Sequence, residues 1–284
     1  DDVVFREEIP DYNKFKFAFD TEEVRKTVVD IMDLCDEVTL TCDFMRKLFQ
    51  SKLTNQKVTV IPNFVPYNWM GYLFNRSRIQ SAFEKFKKKP RILYTGSGAH
   101  YDVANKTGGK DDMSAVNHII RKTVDKYQWI FVGAYPPPLQ DLVKSGKIEF
   151  YRWKSLLEYP QFITNLDPQL MVAPLTVNNF NNSKSDIKFI EACTMGIPCL
   201  CQDMHTYSTA PDDLKFSTPE EFEEKIDWIV NWKNRKRYFS NIGMLREIGV
   251  DRFLEKPENI GAHMEALTTP YGSPERKYLK KWNP

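Results

Sequence analysis

The sequence predicts an α/β protein built around a doubly wound parallel sheet. Short apolar segments alternate with amphipathic segments along the 284 residues, which is the pattern of repeated βα units. Glycine or proline follows several apolar segments, as at Gly96 and Pro136, where a strand turns into the next loop. A composition with 42% hydrophobic and 13% aromatic residues is that of a globular chain with ample core material.

The first predicted unit spans residues 1–75 and has the order helix, strand, helix, strand. Its elements are predicted over residues 21–35, 37–42, 43–53 and 57–65, with Thr21 as the cap of the first helix. Two strands make an incomplete Rossmann-like domain with an unpaired sheet edge. Because the sequence opens at Asp1 without a methionine, we expect a missing N-terminal segment or a partner chain to supply further strands.

The second predicted unit spans residues 91–255 and contains the main sheet. A basic amphipathic stretch over 76–90 predicts the interdomain linker, and a basic, aromatic tail over 256–284 is expected to pack back across the domains. Strands are predicted within 91–100, 129–138, 147–153, 170–176 and 197–203, and helices over 111–127, 157–166, 181–196 and 219–232.

Composition and spacing exclude several classes of protein. The formal net charge of +2 does not by itself indicate a polyanion partner. Five cysteines without metal-ligand spacing predict buried free thiols in a reducing cytoplasm, and neither a zinc site nor a disulfide scaffold. No apolar run reaches the length of a membrane span. A dinucleotide oxidoreductase is excluded because the G-x-G-x-x-G motif with a following acidic residue is absent.

Two loops that follow predicted strands contain residues suited to a ligand. Gly96 and Ser97 leave backbone amides free to approach a phosphate, and His100 adds a hydrogen-bond donor. A tight βα turn alone requires such glycines about as often. Trp153 and Lys154 follow another strand, where an aromatic ring can border a nucleobase or simply anchor the loop to the core.

The predicted helix in "NNSKSDIKFIEACTMG" has an unusual charged face. Lys184, Lys188 and Glu191 fall at i, i+4 and i+7 and therefore share one side of the helix. With Asn182 or Ser183 as the cap, the amides of the first turn and the Lys184 ammonium would suit a diphosphate. The Glu191 carboxylate could accept hydrogen bonds from vicinal hydroxyls such as those of a ribose. The alternative is a solvated face with i,i+4 ion pairs.

Several segments together resemble one enzyme family. The segments "GSGAH", "FVGAYPPPL", "IEFYRW", "VAPL" and "FNNSKSDIKFIEACTMGIPCLCQD" resemble the nucleotide-sugar-binding domain of GT-B glycosyltransferases of the retaining family 4. The earlier "DDVVFREEIP", "CDEVTLTC" and "VTVIPN" resemble the late part of that family's N-terminal domain. The resemblance implies a GT-B-like fold, a nucleotide-sugar donor held mainly by the second unit, and transfer with retention and no metal or other cofactor.

The resemblance also implies roles for residues of the charged helix. Glu191 matches the second glutamate of the family's E-x7-E pattern, which binds the donor ribose. Ser183 stands where the first glutamate, which contacts the donor sugar, would fall. Lys184, Ser185 and Asp186 are therefore expected to take over part of that contact.

The mechanism expected from this resemblance is electrostatic. Gly96 and Ser97 match the family's phosphate-side loop, and no arginine–lysine pair for the phosphates is evident. Lys184 is the expected substitute, assisted by His100, and would stabilise the leaving nucleoside diphosphate as the glycosidic bond breaks. Lys188 is expected to bind the donor beside it.

The sequence is compatible with more than one class of acceptor. Basic clusters with interleaved aromatics occur in "KFKKKPR", "WKNRKRYF" and "ERKYLKKW" and are compatible with double-stranded DNA. Relatives in bacteriophages glycosylate hydroxymethylated pyrimidines in DNA, which implies action in the host cytoplasm. A polysaccharide or lipid-linked sugar is an alternative acceptor. A GT-B-like binding or structural module without turnover is an alternative function.

Overall fold

The computed structural model describes residues 8–19, 21–53, 57–66, 69, 88–104, 106–252 and 260. The first unit contains a two-stranded parallel sheet and two helices. Its elements are β1 (Glu37–Leu40), β2 (Lys57–Val60), α1 (Glu22–Asp33) and α2 (Asp43–Gln50). The predicted cap of α1 is confirmed, because the Thr21 hydroxyl accepts a hydrogen bond from the backbone of Val24.

The second unit contains a six-stranded sheet in which all strands are parallel. Its strands are β3 (Arg91–Gly96), β4 (Gln128–Gly133), β5 (Ile148–Tyr151), β6 (Leu170–Ala173), β7 (Cys199–Gln202) and β8 (Lys215–Phe216). Its helices are α3 (Asn117–Thr123), α4 (Gln140–Lys144), α5 (Tyr159–Leu166), α6 (Asn179–Asn182), α7 (Ile187–Thr194), α8 (Pro219–Val230) and α9 (Arg235–Asp251).

The strand order β5-β4-β3-β6-β7-β8 determines where a ligand can bind. From β3 the chain runs outward through β4 and β5, and it then returns to add β6 on the other side of β3. The connections that follow β3 and β6 therefore leave in opposite directions. Such a reversal opens a crevice at the carboxyl ends of the strands, which is the usual ligand site of this architecture.

The charged helix differs from its prediction. It is interrupted: α6 ends at Asn182, Ser183 is the C-cap of α6, and α7 begins only at Ile187. The predicted cap at Asn182 or Ser183 is therefore wrong. The side chain of Ser183 donates to the Asn179 carbonyl at 2.8 Å, and Asp186 bonds to neighbouring side chains. Polar side chains of this kind compete with helical bonding and favour a break.

The longest described helix, α9, is not among the elements predicted from the sequence. It packs against α7. The contact is close at Gly249, where an added Cβ would lie 3.1 Å from the Thr194 nitrogen and 3.2 Å from the Cys193 carbonyl carbon. The predicted helix over 111–127 is also shorter than expected, because only α3 is helical and turns occupy residues 111–116.

The two units contact each other through buried side chains. Phe180, from α6, completes a small hydrophobic core that otherwise consists of first-unit residues such as Val38 and Phe49. At the end of α9, Arg252 donates to the Asn63 carbonyl at 2.7 Å and forms two 2.9 Å bonds with the Asp186 carboxylate. These contacts fix the start of α7 relative to the first unit.

Some predictions lie outside the described residues or require correction. The predicted linker is described only over 88–90, and the predicted tail only at Ile260. All five cysteines are free thiols, but the prediction that they are buried is wrong for two of them: Cys35 is exposed and Cys42 is half-buried. Both lie in the first unit, whose described strands form only a two-stranded sheet.

Candidate active site

A cleft of about 390 Å³ opens at the carboxyl ends of the strands, between the loop after β3 and helix α7. Its third wall is the segment that follows β5. The cleft is lined by Thr95, Gly96, Ser97, His100, Trp153, Lys154, Leu156, Tyr159, Ile187, Lys188 and Glu191. Seven of the eleven sequence-predicted site residues therefore lie together where the strand order reverses.

The loop after β3 presents backbone to the cleft. The Ser97 hydroxyl accepts a hydrogen bond from the Ala99 amide at 3.2 Å, which closes a tight turn directly after the strand. Gly133, at the end of β4, has a φ of +99°, and a Cβ there would lie 2.5 Å from the Gly96 carbonyl oxygen. Glycine is therefore required at 133 for the ends of β3 and β4 to approach each other.

Trp153 forms the wall beside this loop. Its indole ring packs on Gly133, where a Cβ would come within 2.5 Å of the ring. The side chain remains 50% exposed, and its ring centre lies 6.3 Å from that of Tyr159. The neighbouring Lys154 places its ammonium 5.2 Å from the centre of the Phe162 ring. Trp153 thus both anchors the loop and leaves one side of its indole available to a planar ligand.

Lys188 is the most unusual charged residue of the cleft. Its Nζ atom is buried and has no hydrogen-bond partner among the residues that the structure describes. It lies 4.4 Å from the centre of the buried Tyr94 ring. Burial lowers the pKa of Lys188 to about 8. A buried ammonium without a partner is costly, and an anion in the cleft would offset that cost.

Glu191 lies one turn beyond Lys188 on the same face of α7. Burial raises the pKa of Glu191 to about 7, although the nearby Lys188 charge opposes this shift. The Tyr159 hydroxyl lies 3.4 Å from one carboxylate oxygen. The rest of the carboxylate faces the cleft and can accept hydrogen bonds from hydroxyl groups.

His100 is held by a buried carboxylate. Its Nδ1 atom lies 2.7 Å from Oδ2 of Asp112, whose side chain is 1% exposed. Burial lowers the pKa of His100 to about 4, and the charges of Lys184 and Lys188 act in the same direction. Burial alone would raise the pKa of Asp112, but the hydrogen bonds from His100 and Tyr12 and the charge of Lys184 outweigh burial and lower the pKa. The pair is therefore a neutral imidazole beside a carboxylate.

The remaining predicted residues lie in the turn between α6 and α7, behind the cleft wall. Ser183 is fully buried, the hydroxyl of Ser185 accepts from Asn63 at 2.7 Å, and Asp186 pairs with Arg252. These three side chains make structural bonds in the protein. Lys184 places its ammonium 4.8 Å from the centre of the Phe180 ring. The contributions of these four residues to donor binding stay predictions.

Tyr159, Thr95 and Asp112 also belong to the site but were not predicted from the sequence. Tyr159 begins α5 and is buried beneath Trp153, and its aromatic character alone indicates a core residue. The adjacent acids Asp111 and Asp112 precede an apolar helix, which is the usual pattern of a helix cap. Only the fold shows that the second acid points back to His100.

The cleft combines groups that suit a nucleoside diphosphate linked to a sugar. A buried cation and the backbone of the loop after β3 line the same cleft, a carboxylate lies one helical turn from the cation, and an exposed indole forms one wall. Among the described residues, no group of three or more histidine, cysteine or acidic side chains is arranged to hold a metal ion. Within the same part of the chain, every helix falls short of the length and apolar content that a membrane crossing requires.

Comparisons with known proteins give matches only at the level of structure. No family model and no curated protein sequence matches the chain. The structure of Anabaena Alr3699/HepE in complex with UDP-glucose is similar with a TM-score of 0.61 and 12% identity. A glycosyltransferase from Rickettsia africae is similar with a TM-score of 0.57 and 14% identity. A sucrose-phosphate synthase from Thermosynechococcus elongatus is similar with a TM-score of 0.52 and 14% identity.

The matched proteins are longer than this chain and share little sequence identity with it. They cover 87%, 88% and 87% of this chain but only 67%, 68% and 60% of the three proteins, so the chain spans about two thirds of their length. At such low identity the similarity establishes the fold. The predicted GT-B-like α/β fold with parallel sheets is confirmed.

Proposed function

We propose that this protein is a glycosyltransferase that moves a sugar from a nucleotide-sugar donor to a hydroxyl group of an acceptor. The observation that supports this function best is the buried, unpartnered Nζ of Lys188 in a cleft that also contains the Glu191 carboxylate. The cation suits a diphosphate and the carboxylate suits a pair of ribose hydroxyls. HepE, which has a similar fold, is known in complex with UDP-glucose.

Each wall of the cleft has a role in this proposal. Trp153 and Lys154 border the nucleobase, Gly96 and Ser97 offer amides to the diphosphate, and Glu191 accepts from the ribose. Lys188 contacts the diphosphate directly. As the bond to the sugar breaks, negative charge grows on the leaving diphosphate, and a fixed cation in a site of low dielectric stabilises that charge.

Lys184, in the turn before α7, also stabilises the negative charge of the leaving diphosphate. Its charge lowers the pKa values of His100 and Lys188, so its field reaches the cleft. The proposed mechanism proceeds with retention of the anomeric configuration and without a metal. Lys184→Ala is expected to reduce turnover about a hundredfold while preserving the fold, because one such group contributes about 2.7–4 kcal/mol.

The proposed acceptor is a hydroxymethylated pyrimidine in double-stranded DNA, and a polysaccharide or lipid-linked sugar is the alternative. The supporting observation is the set of three basic clusters in the sequence; the cluster "WKNRKRYF" and part of "KFKKKPR" lie within the described residues. Binding to a DNA duplex should then weaken steeply between 50 and 200 mM salt. Absence of duplex binding at low salt would remove DNA as the acceptor.

A module that binds a nucleotide sugar without turnover is the second candidate function. It is favoured by Ser183, which stands at the position of the family's first glutamate, is fully buried, and bonds to the Asn179 carbonyl. The family's usual contact to the donor sugar is therefore absent from this position.

A two-stage experiment separates these functions. A panel of nucleotide sugars is first screened by isothermal titration calorimetry, and each ligand that binds is then incubated with candidate acceptors and analysed by mass spectrometry. Transfer that persists with EDTA supports the metal-independent reaction, and NMR of the product's anomeric proton reports retention. Binding without transfer or hydrolysis supports the module. Absence of binding across the panel would refute both functions.

A further inference from the structure

The side chain of Asp112 lies behind His100 and is held by several hydrogen bonds. Both carboxylate oxygens are engaged, and each faces a different set of partners. Oδ2 lies 2.7 Å from Nδ1 of His100. Oδ1 accepts from the Tyr12 hydroxyl at 2.7 Å, from Nδ2 of Asn181 at 2.7 Å and from the Thr176 amide at 3.0 Å. The carboxylate is therefore locked in one orientation by three donors on a single oxygen.

This arrangement determines the protonation of the histidine ring. A carboxylate that is deprotonated can only accept hydrogen bonds, so Nδ1 of His100 must carry the proton. In a neutral imidazole the other nitrogen, Nε2, is then an acceptor. No hydrogen bond to Nε2 is found among the described residues, and His100 lines the cleft. The acceptor nitrogen is thus available to a ligand.

We propose that Asp112 is a positioning residue that fixes His100 as its Nδ1–H tautomer, so that Nε2 accepts a hydrogen bond from a hydroxyl of the donor sugar. The identity of that ligand rests on the proposed function. A diphosphate has no O–H group to donate at neutral pH, and Glu191 is assigned to the ribose. The sugar is therefore the remaining part of the donor with hydroxyl groups. Tyr12 comes from the first unit, so that unit completes the site.

The tautomer can be measured directly in the protein without ligand. The chain has four histidines, so two-dimensional ¹H–¹⁵N NMR of protein labelled at histidine can be assigned by comparison with His100→Gln. We expect the His100 ring to show a protonated Nδ1 and an unprotonated Nε2. An Nε2–H tautomer in the wild-type protein would overturn the proposal, whether or not Asp112→Asn folds.

Asp112→Asn should reverse the tautomer. The three donors around Oδ1 hold the amide oxygen of the new asparagine on their side, so its NH₂ group must face Nδ1 of His100. That nitrogen then accepts, and the proton moves to Nε2. Tyr12→Phe, which removes one of the three donors and leaves the carboxylate, should keep the wild-type tautomer. His118→Gln, at an exposed position, is the control and should leave the His100 signals unchanged.

Binding measurements then test the role of Nε2. Asp112→Asn should weaken UDP-glucose binding by up to about tenfold, because the hydroxyl that donates to Nε2 must turn to accept from Nε2–H, and it should leave UDP binding unchanged because UDP lacks the sugar. Equal weakening of UDP and UDP-glucose would overturn the assignment to the sugar. If wild-type protein binds neither ligand, the proposed function fails for this donor, while the tautomer measurements still decide whether Asp112 positions His100.

Discussion

Lys188→Met tests whether the buried ammonium is present for a ligand or for the fold. The Nζ atom has no hydrogen-bond partner among the described residues, and its pKa is lowered from 10.5 to about 8. A shift of this size corresponds to about 3 kcal/mol of unfavourable burial of the charged form. Below pH 8 the residue therefore lowers the free energy of unfolding, and this penalty fades as the pH rises from about 8 to 10.5.

Methionine has a similar length and carries no charge, so the two measurable effects have opposite signs. At pH 7 the free energy of unfolding should rise, by at most about 3 kcal/mol, because the unpartnered charge is removed. The affinity for UDP should fall about 10- to 100-fold, because a hydrogen bond to a charged group contributes about 1.5–3 kcal/mol. Urea denaturation followed by tryptophan fluorescence gives the first quantity, and isothermal titration calorimetry gives the second.

Lys122→Met is the matched control, because the Lys122 side chain is 66% exposed and paired with Glu223 on the surface. It should change both quantities by less than about 1 kcal/mol. At pH 8.5 the wild-type protein should also take up protons when UDP binds, since the phosphates restore the charged form of Lys188. A Lys188→Met protein that is less stable and binds UDP with unchanged affinity would refute this reasoning.

Three further predictions concern other parts of the structure. Burial raises the pKa of Glu191 from 4.5 to about 7. This group therefore stabilises the fold below pH 4.5, and that contribution of about 3 kcal/mol to the free energy of unfolding is lost by pH 7. Glu191→Gln should flatten the dependence of Tm on pH between these two values. Gly249→Ala should lower the free energy of unfolding in urea by about 1–3 kcal/mol, because the added methyl group would push α9 away from α7. Gly243→Ala, on the same helix but with open space around it, should raise that free energy by up to about 1 kcal/mol. Arg252→Ala removes the ion-pair partner of the buried Asp186 and should lower the free energy of unfolding by about 3 kcal/mol in the same assay. Arg237→Ala breaks an exposed ion pair and should lower it by less than about 1 kcal/mol.

The sheet and the position of the cleft could be predicted from the sequence because their signals are local. Apolar strands that end in glycine, as β3 does at Gly96, indicate both the element and the loop that follows it. Parallel strands bring their carboxyl ends to one edge, so the loops with Ser97 and Trp153 were expected on the same side of the sheet. The spacing of Lys188 and Glu191 also predicted that they share a helix face.

The break before α7 could not be predicted in this way, because its cause lies far along the chain. Asp186 ends the turn because Arg252, 66 residues later, and Thr209 bond to its carboxylate. Local spacing alone predicted one continuous helix over 181–196. The role of Asp112 was hidden for the same reason, because its partner Tyr12 is 100 residues away.

These long-range bonds have a consequence for function as well as for folding. The start of α7 is held from two directions, by the Arg252 pair with Asp186 and by the bond from Asn63 to Ser185. Lys188 and Glu191 follow within two turns of the same helix, so their positions depend on both units. Loss of either of these contacts should therefore shift the Lys188 ammonium and the Glu191 carboxylate together. Arg252→Ala should accordingly weaken UDP binding in addition to stability, although Arg252 is not among the residues that line the cleft. Unchanged UDP affinity in an Arg252→Ala protein that is destabilised as expected would show that α7 keeps its position without the Arg252 pair.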